Sequence, residues 1–178
     1  MKLVWEKAAL VRLVIFDVDG VLTDGRLYLD NKGEEYKAFY APDGLGMTML
    51  QASGVSIAII TARRSEVVTH RMQFLGIKYV YQGQADKVMA FNQLCQQLPL
   101  EPQQIAYVGD DMNDIAVMSR VGLAIAVANA HALVVKQAHW QTQAKGGQGA
   151  AREVCELIMQ AQGTWTTQLG QYGIINPE

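Results

Sequence analysis

Five short apolar runs, separated by stretches of helical character, set the limits on how this chain can fold. They are residues 11–17 (VRLVIFD), 55–61 (VSIAIIT), 78–81 (KYVY), 105–109 (IAYVG) and 123–127 (LAIAV). None alternates polar with apolar residues, so each reads as a strand covered on both faces. The stretches between them carry helix punctuation. Residues 44–53 follow Asp43, a good N-cap, and residues 65–75 start at Ser65 and stop before Gly76. Residues 85–98 end before Pro99, and 111–120 and 150–162 complete the set. Strands alternating with helices predict a doubly wound, parallel α/β sheet. One segment breaks the pattern: residues 24–40 read as a β-hairpin, with strands at 26–29 and 34–40 around the turn formers Asp30, Asn31, Lys32 and Gly33. A lone ribbon is marginal in water. This one carries Leu27, Tyr28, Leu29, Tyr36, Phe39 and Tyr40, and is expected to pack on its own domain or on another subunit.

A length of 178 residues suits one domain, read as residues 1–162 with a tail at 163–178. The tail is polar apart from Trp165, Tyr172, Ile174 and Ile175, and is expected to be mobile. A formal net charge of −2 gives no general attraction to nucleic acid or to an anionic membrane. No run approaches the roughly 20 apolar residues needed to cross a bilayer, and charges interrupt the first residues before a secretory leader develops. The reading is a soluble, cytoplasmic protein. Cys95 and Cys155 lack the spacing of a zinc or redox motif and are expected to be buried, reduced thiols. His70, His131 and His139 lack zinc-ligand spacing, and Trp5 and Trp140 read as packing residues.

In parallel α/β sheets, ligands bind beyond the carboxyl ends of the strands. The first strand ends in Asp17-Val18-Asp19-Gly20, the second in Thr61-Ala62-Arg63-Arg64, and the fourth in Gly109-Asp110-Asp111-Met112-Asn113-Asp114, while Lys87 stands early in the helix after the third. Carboxylates gathered at one point repel unless something positive sits among them. Magnesium fits, since it takes one or two carboxylates and substrate phosphate oxygens. Asp17 and Asp110 are expected to supply carboxylates and Asp19 its backbone carbonyl, with Asp111 nearby and Asp114 holding a water on the ion or orienting Lys87. Phosphoryl transfer needs positioning and charge neutralisation above all. Asp17 is the candidate nucleophile and Asp19 the candidate general acid and base. Thr61 and Lys87 are candidates for the phosphoryl oxygens, with backbone amides near Gly20. Each motif alone is more often a turn, a cap or a solvated helix start; their joint order at successive strand ends is what points to chemistry.

These residues resemble the haloacid dehalogenase-type phosphatase superfamily. Residues 17–25 (DVDGVLTDG) are similar to its first motif, Thr61 to its second, Lys87 to its third and residues 109–114 (GDDMND) to its fourth, a likeness spanning about residues 11–161. A narrower likeness is to its capless, tetrameric group acting on phosphorylated sugar acids. It rests on the hairpin, Tyr81-Gln82-Gly83, YVGDD at 107–111, and the stretch from Gly146 to Cys155. That resemblance implies a Rossmann-like fold without a cap, a magnesium cofactor, and a homotetramer whose hairpins pair centrally so that each subunit helps close a neighbour's site. It implies substrate contacts from Asp19, Lys87, Tyr40, Ala41, Pro42, Asp43, Gly44, Thr48, Arg63 and Arg71. A guanidinium suits the carboxylate of a sugar acid. Arg63, where relatives acting on nonulosonate 9-phosphates tend to carry an acid, favours an octulosonate 8-phosphate. The C-terminal segment, through Ile174 and Ile175, is implied to reach a neighbouring site. Two residues depart from the pattern. Ala62 replaces a glycine, where its methyl is expected to crowd the phosphate, and Gln148 replaces an arginine. A receiver domain shares the acids, hydroxyl, lysine and magnesium, but its phospho-acceptor follows the third strand, where this chain has Tyr81-Gln82. An idle assembly module would not need the complete set of polar strand ends.

Overall fold

The computed structural model describes residues 1–174. Helix α1 (Lys2–Ala9) leads into β1 (Leu13–Phe16), followed by a hairpin of β2 (Tyr28–Leu29) and β3 (Glu35–Tyr36). Then come α2 (Ala41–Ala52), β4 (Ser56–Ile60), α3 (Glu66–Phe74), β5 (Tyr79–Tyr81) and α4 (Lys87–Gln97). Strand β6 (Ile105–Gly109) is followed by a 3₁₀ turn at Met112–Asp114 and a short α5 (Ile115–Met118). The chain continues through β7 (Leu123–Ala126), α6 (Ala132–Gln137), β8 (Trp140–Gln141), α7 (Ala150–Ala161) and α8 (Trp165–Gly170). The main sheet has six parallel strands in the order β5-β4-β1-β6-β7-β8. The predicted doubly wound α/β architecture is therefore present.

The continuous apolar runs explain the layering. Along β1, Leu13 and Ile15 face one side, with Phe91 and Leu94 of α4 and Met118 of α5. Val14 and Phe16 face the other, with Leu50 of α2, Met72 of α3 and Ile158 of α7. Every residue of β1 and β7 is buried, which is why neither strand alternates in sequence. Strand β1 lies between β4 and β6, so the chain order reverses beside it and opens a crevice at its carboxyl end.

Several elements differ from the sequence reading. Helix α2 starts at Ala41 with Pro42 in its first turn, where proline's fixed φ is tolerated. Asp43 is thus inside the helix and is not its N-cap. Its Oδ1 instead accepts the N–H of Arg152 at 2.8 Å, capping the distant start of α7. The helix expected at 111–120 is split into the 3₁₀ turn and α5. Helices α1, α6 and α8 and strand β8 are additions. Within the expected tail, α8 is folded, with Leu169 packed into the core; Ile174 is half-exposed, and Ile175 lies outside the described residues. The hairpin turn forms as predicted, with Asp30 Oδ1 accepting from the amides of Lys32 and Glu34. Leu27, Tyr28, Leu29 and Tyr36 remain exposed on it. Among the described residues no helix is long and apolar enough to cross a membrane. Both cysteines are free thiols; Cys155 is buried as expected, while Cys95 is only half-buried.

Candidate active site

Asp17 follows β1 directly, and its N–H donates to Val108 O at 3.1 Å, so the ladder carries it to the sheet's edge. The chain then turns sharply at Gly20, whose φ of +93° suits glycine and whose absent Cβ leaves room for the Asp110 carboxylate. A cleft of about 250 Å³ opens there, lined by Asp17, Asp19, Gly25, Thr61, Ala62, Arg63, Asp110, Asp111 and Asn113. Three strand ends meet in it, as the sequence predicts. Ala62 is exposed and lines the cleft beside Thr61 and Arg63. Gln148 lies outside the cleft, in a polar crevice with Asp24, Arg26, Asn129, Lys145 and Gly146.

Behind the cleft a buried polar cluster is tightly paired. Lys87, the first residue of α4, places Nζ 2.9 Å from Asp17 Oδ2 and 2.7 Å from Asp114 Oδ1. Asp114 is fully buried and fully engaged. Its Oδ1 also accepts the Tyr107 hydroxyl at 2.6 Å, and its Oδ2 accepts the amides of Asp110 and Asp111 at 2.9 and 3.2 Å. Burial alone would lower the Lys87 pKa, but the charges of Asp17 and Asp114 outweigh it and hold the ammonium above its ordinary value. Burial and the Asp114 charge hold the Tyr107 phenol well above its ordinary value, so it stays a donor. Tyr107 was not singled out in the sequence; the only signal is one tyrosine inside an otherwise apolar strand.

Two oxygens are left over. Asp17 Oδ1 and Asp110 Oδ1 are buried with no hydrogen-bond partner among the described residues. One carboxylate oxygen each from Asp17, Asp110 and Asp114 lie within 4.8 Å of one another. Both Asp114 oxygens are already taken, so Asp17 and Asp110 are the pair open to a cation and Asp114 is the residue that orients Lys87. Burial lifts the Asp17 carboxyl to about 6, with Lys87 pulling the other way. Burial and the Asp17 charge lift Asp110 to about 8. Two lifted carboxyls with unpartnered oxygens fit a divalent ion.

The expected substrate contacts do not all meet in the cleft. Asp19 and Arg63 line the cleft, and Asp19 lies 3.7 Å from Arg63 Nε. Tyr40, Asp43, Gly44 and Arg71 line a separate, narrow crevice with Phe39 and Met47. There Arg71 lies over the rings of Phe39 and Phe74, 5.8 Å from each centroid. Ala41 and Pro42 are exposed at the start of α2, and Thr48 bonds back to Gly44 O at 3.0 Å. Lys37 and Glu35, which contact Asp19 and Arg63 from the hairpin, were missed. A charged residue on a short hairpin ordinarily reads as solvated, so nothing local marks these two out.

Gly146 packs against the backbone of the turn at Gly20. A Cβ there would sit 1.7 Å from Gly20 O, and the neighbouring Gly147 N–H donates to Val21 O at 3.0 Å. Gly146→Ala must push the Gly20 carbonyl, and is expected to cost about 2 kcal/mol as overpacking. A thermal melt should show this as a fall of roughly 5 °C for a chain of this size.

The fold and the cleft define a haloacid dehalogenase-like hydrolase, and the model of that family matches residues 72–154. A 3-deoxy-D-manno-octulosonate 8-phosphate phosphatase of Yersinia pestis is 50% identical over 157 residues, covering 88% of this chain and 84% of the relative. A crystal structure of such a phosphatase from Moraxella catarrhalis, in complex with magnesium, phosphate and the sugar acid, superposes with a TM-score of 0.94 at 40% identity, covering 97% of this chain and 99% of that one. A probable phosphatase of the yrbi family from Pseudomonas syringae pv. phaseolica 1448a gives a TM-score of 0.95 at 45% identity over the full length of both chains. The chain belongs to the 3-deoxy-D-manno-octulosonate 8-phosphate phosphatase family of haloacid dehalogenase-like hydrolases.

Proposed function

We propose that the protein hydrolyses 3-deoxy-D-manno-octulosonate 8-phosphate to the free sugar acid and phosphate, through a phosphoryl group carried on Asp17. The observation that carries this reading is Asp17 itself: one oxygen is tied to Lys87 at 2.9 Å and the other is buried without a partner at the head of the cleft. Asp17 and Asp110 would hold magnesium, with the backbone carbonyl of Asp19. When bound, the ion neutralises charge on the phosphoryl oxygens and on the clustered carboxylates. Lys87 and Thr61 take the remaining phosphoryl oxygens, and Asp114 with Tyr107 fixes the ammonium. Asp17 attacks phosphorus in line; Asp19 gives its proton to the leaving alkoxide and takes one from the water that releases phosphate. Arg63 faces the cleft and is our candidate partner for the sugar carboxylate.

We further propose a homotetramer assembled through the hairpins, with Tyr40, Ala41, Pro42, Asp43, Gly44, Thr48 and Arg71 serving the assembled site. Exposed Leu27, Tyr28, Leu29 and Tyr36 support this, since a two-stranded ribbon gains stability only when its apolar side is covered. We place the activity in the cytoplasm, where it supplies the free sugar acid for lipopolysaccharide. The test is phosphate release from a panel of sugar phosphates with magnesium and with a chelator. Preferred, magnesium-dependent turnover of the octulosonate phosphate is expected; equal slow turnover of the whole panel overturns the specificity.

Metal binding should depend on pH with a definite sign. Asp17 and Asp110 both sit above the ordinary carboxyl value in the metal-free protein, at about 6 and about 8. Their protonation therefore favours the fold at low pH, and that contribution is lost as pH rises through 6 and then 8. A bound cation displaces those protons, so its stabilising effect grows over the same window. The magnesium-induced rise in melting temperature is expected to be small at pH 5.5 and large at pH 8.5, read by thermal shift at fixed ionic strength.

A further inference from the structure

Lys37 follows β3 directly, yet its side chain is only 1% exposed. Its ammonium bonds Asp19 Oδ1 and lies 3.2 Å from Glu35 Oε1. Arg63 completes the arrangement from the end of β4. Its Nη2 donates to the same Glu35 oxygen at 2.7 Å, and its Nε stands 3.7 Å from Asp19 Oδ2. Two cations and two acids thus alternate around a ring, one pair from the hairpin and one from the strand ends. Surface lysines ordinarily keep the ammonium in water and gain little from pairing. Lys37 has given up that hydration, and two carboxylates offset the loss.

The ring makes the two Asp19 oxygens unequal. Oδ1 is held by a charge-assisted hydrogen bond from Lys37. Oδ2 has Arg63 at 3.7 Å, beyond hydrogen-bond reach, and so is free to face a reacting oxygen. We propose that Lys37 is a positioning residue for the hydrolysis: by anchoring Oδ1 it makes Oδ2 the atom that hands over and recovers the proton. This rests on the reading of Asp19 as general acid and base.

The proton count closes without Lys37 titrating. In the first half-reaction an Asp17 oxygen bonds phosphorus and the bond from phosphorus to the leaving oxygen breaks. The Oδ2 proton passes to that leaving oxygen. In the second, a water oxygen bonds phosphorus, the bond from phosphorus to the Asp17 oxygen breaks, and one water proton returns to Oδ2. Oδ1 accepts from the ammonium in both states, as a carboxylate oxygen or as the carbonyl oxygen of the acid.

The test compares two leaving groups. An alkoxide needs a proton as it departs, while p-nitrophenolate leaves without one. kcat/KM covers steps only as far as leaving-group departure, so hydrolysis of the phosphorylated Asp17 does not enter. Both substrates are measured on the same preparation with magnesium, so partial misfolding cancels in their ratio. The alkyl substrate is the octulosonate phosphate. Should the wild type refuse it, the specificity reading fails before any variant is made, and another alkyl phosphate that it turns over takes its place. Lys37→Met and Lys37→Gln are each expected to lower the alkyl-to-aryl ratio of kcat/KM by about tenfold or more, part of the 10²–10⁴-fold that a positioned acid supplies. Lys37→Arg should restore most of it, and Asp19→Asn should lower the ratio further. If Asp19→Asn lowers the ratio while both Lys37 variants keep the wild-type ratio, the positioning role is overturned and the acid–base reading stands. If Asp19→Asn keeps the wild-type ratio, both fall.

Discussion

Asp17→Asn is expected to reduce magnesium-dependent phosphate release by roughly 10⁴-fold or more, the scale seen when a covalent nucleophile is removed. The amide is nearly isosteric, and Lys87 keeps its 2.7 Å bond to Asp114, so the fold should persist. The comparison that matters pairs turnover with a melting curve. Lost turnover in a protein that melts within a few degrees of the wild type assigns the defect to chemistry. Retention of even a few per cent of the rate would mean that the phosphoryl group is taken up elsewhere, because an amide at this position cannot attack phosphorus.

Lys87→Met should affect both stability and rate. Lys87 is 2% exposed and is the cation between Asp17 and Asp114. Removing it leaves two buried carboxylates facing each other, with Asp110 beside them. Breaking a buried pair in this way costs about 3–5 kcal/mol. At this chain length, that is a fall of roughly 10 °C in melting temperature at neutral pH. Magnesium should recover part of the stability by binding the freed acids, but not the turnover, because phosphoryl oxygens lose their fixed cation. A variant that melts like the wild type would show that Lys87 does not balance the cluster.

The centre of the site could be read from the sequence because parallel strands must end at one edge of the sheet. Apolar runs ending in Asp17, Thr61 and Asp110 therefore announce a common location. What escaped the reading depends on contacts between distant parts of the chain. Asp43 has the right character for a local N-cap, but its partner is the amide of Arg152, 109 residues away. Pro42 was the local clue that α2 begins earlier, since proline is at home in a first helical turn. Lys37 and Glu35 look like solvated hairpin charges until the ribbon folds back over Asp19 and Arg63. Tyr107 reads as one more core residue until the fully buried Asp114 is seen to need a donor. Arg71 was expected at the substrate; within one subunit its guanidinium lies over Phe39 and Phe74 in a separate crevice. Its place in the reaction turns on the assembly we propose.

The central claim is that phosphorus passes through a bond to Asp17. Its most direct test is to mix the enzyme with magnesium and substrate, quench in acid during turnover, reduce with borohydride and map the peptides by mass. A phosphorylated aspartate is reduced to homoserine, and the account predicts homoserine at position 17 alone, dependent on both magnesium and substrate. Homoserine at position 19 or 110 would contradict it, as would an unmodified Asp17 in enzyme that is releasing phosphate.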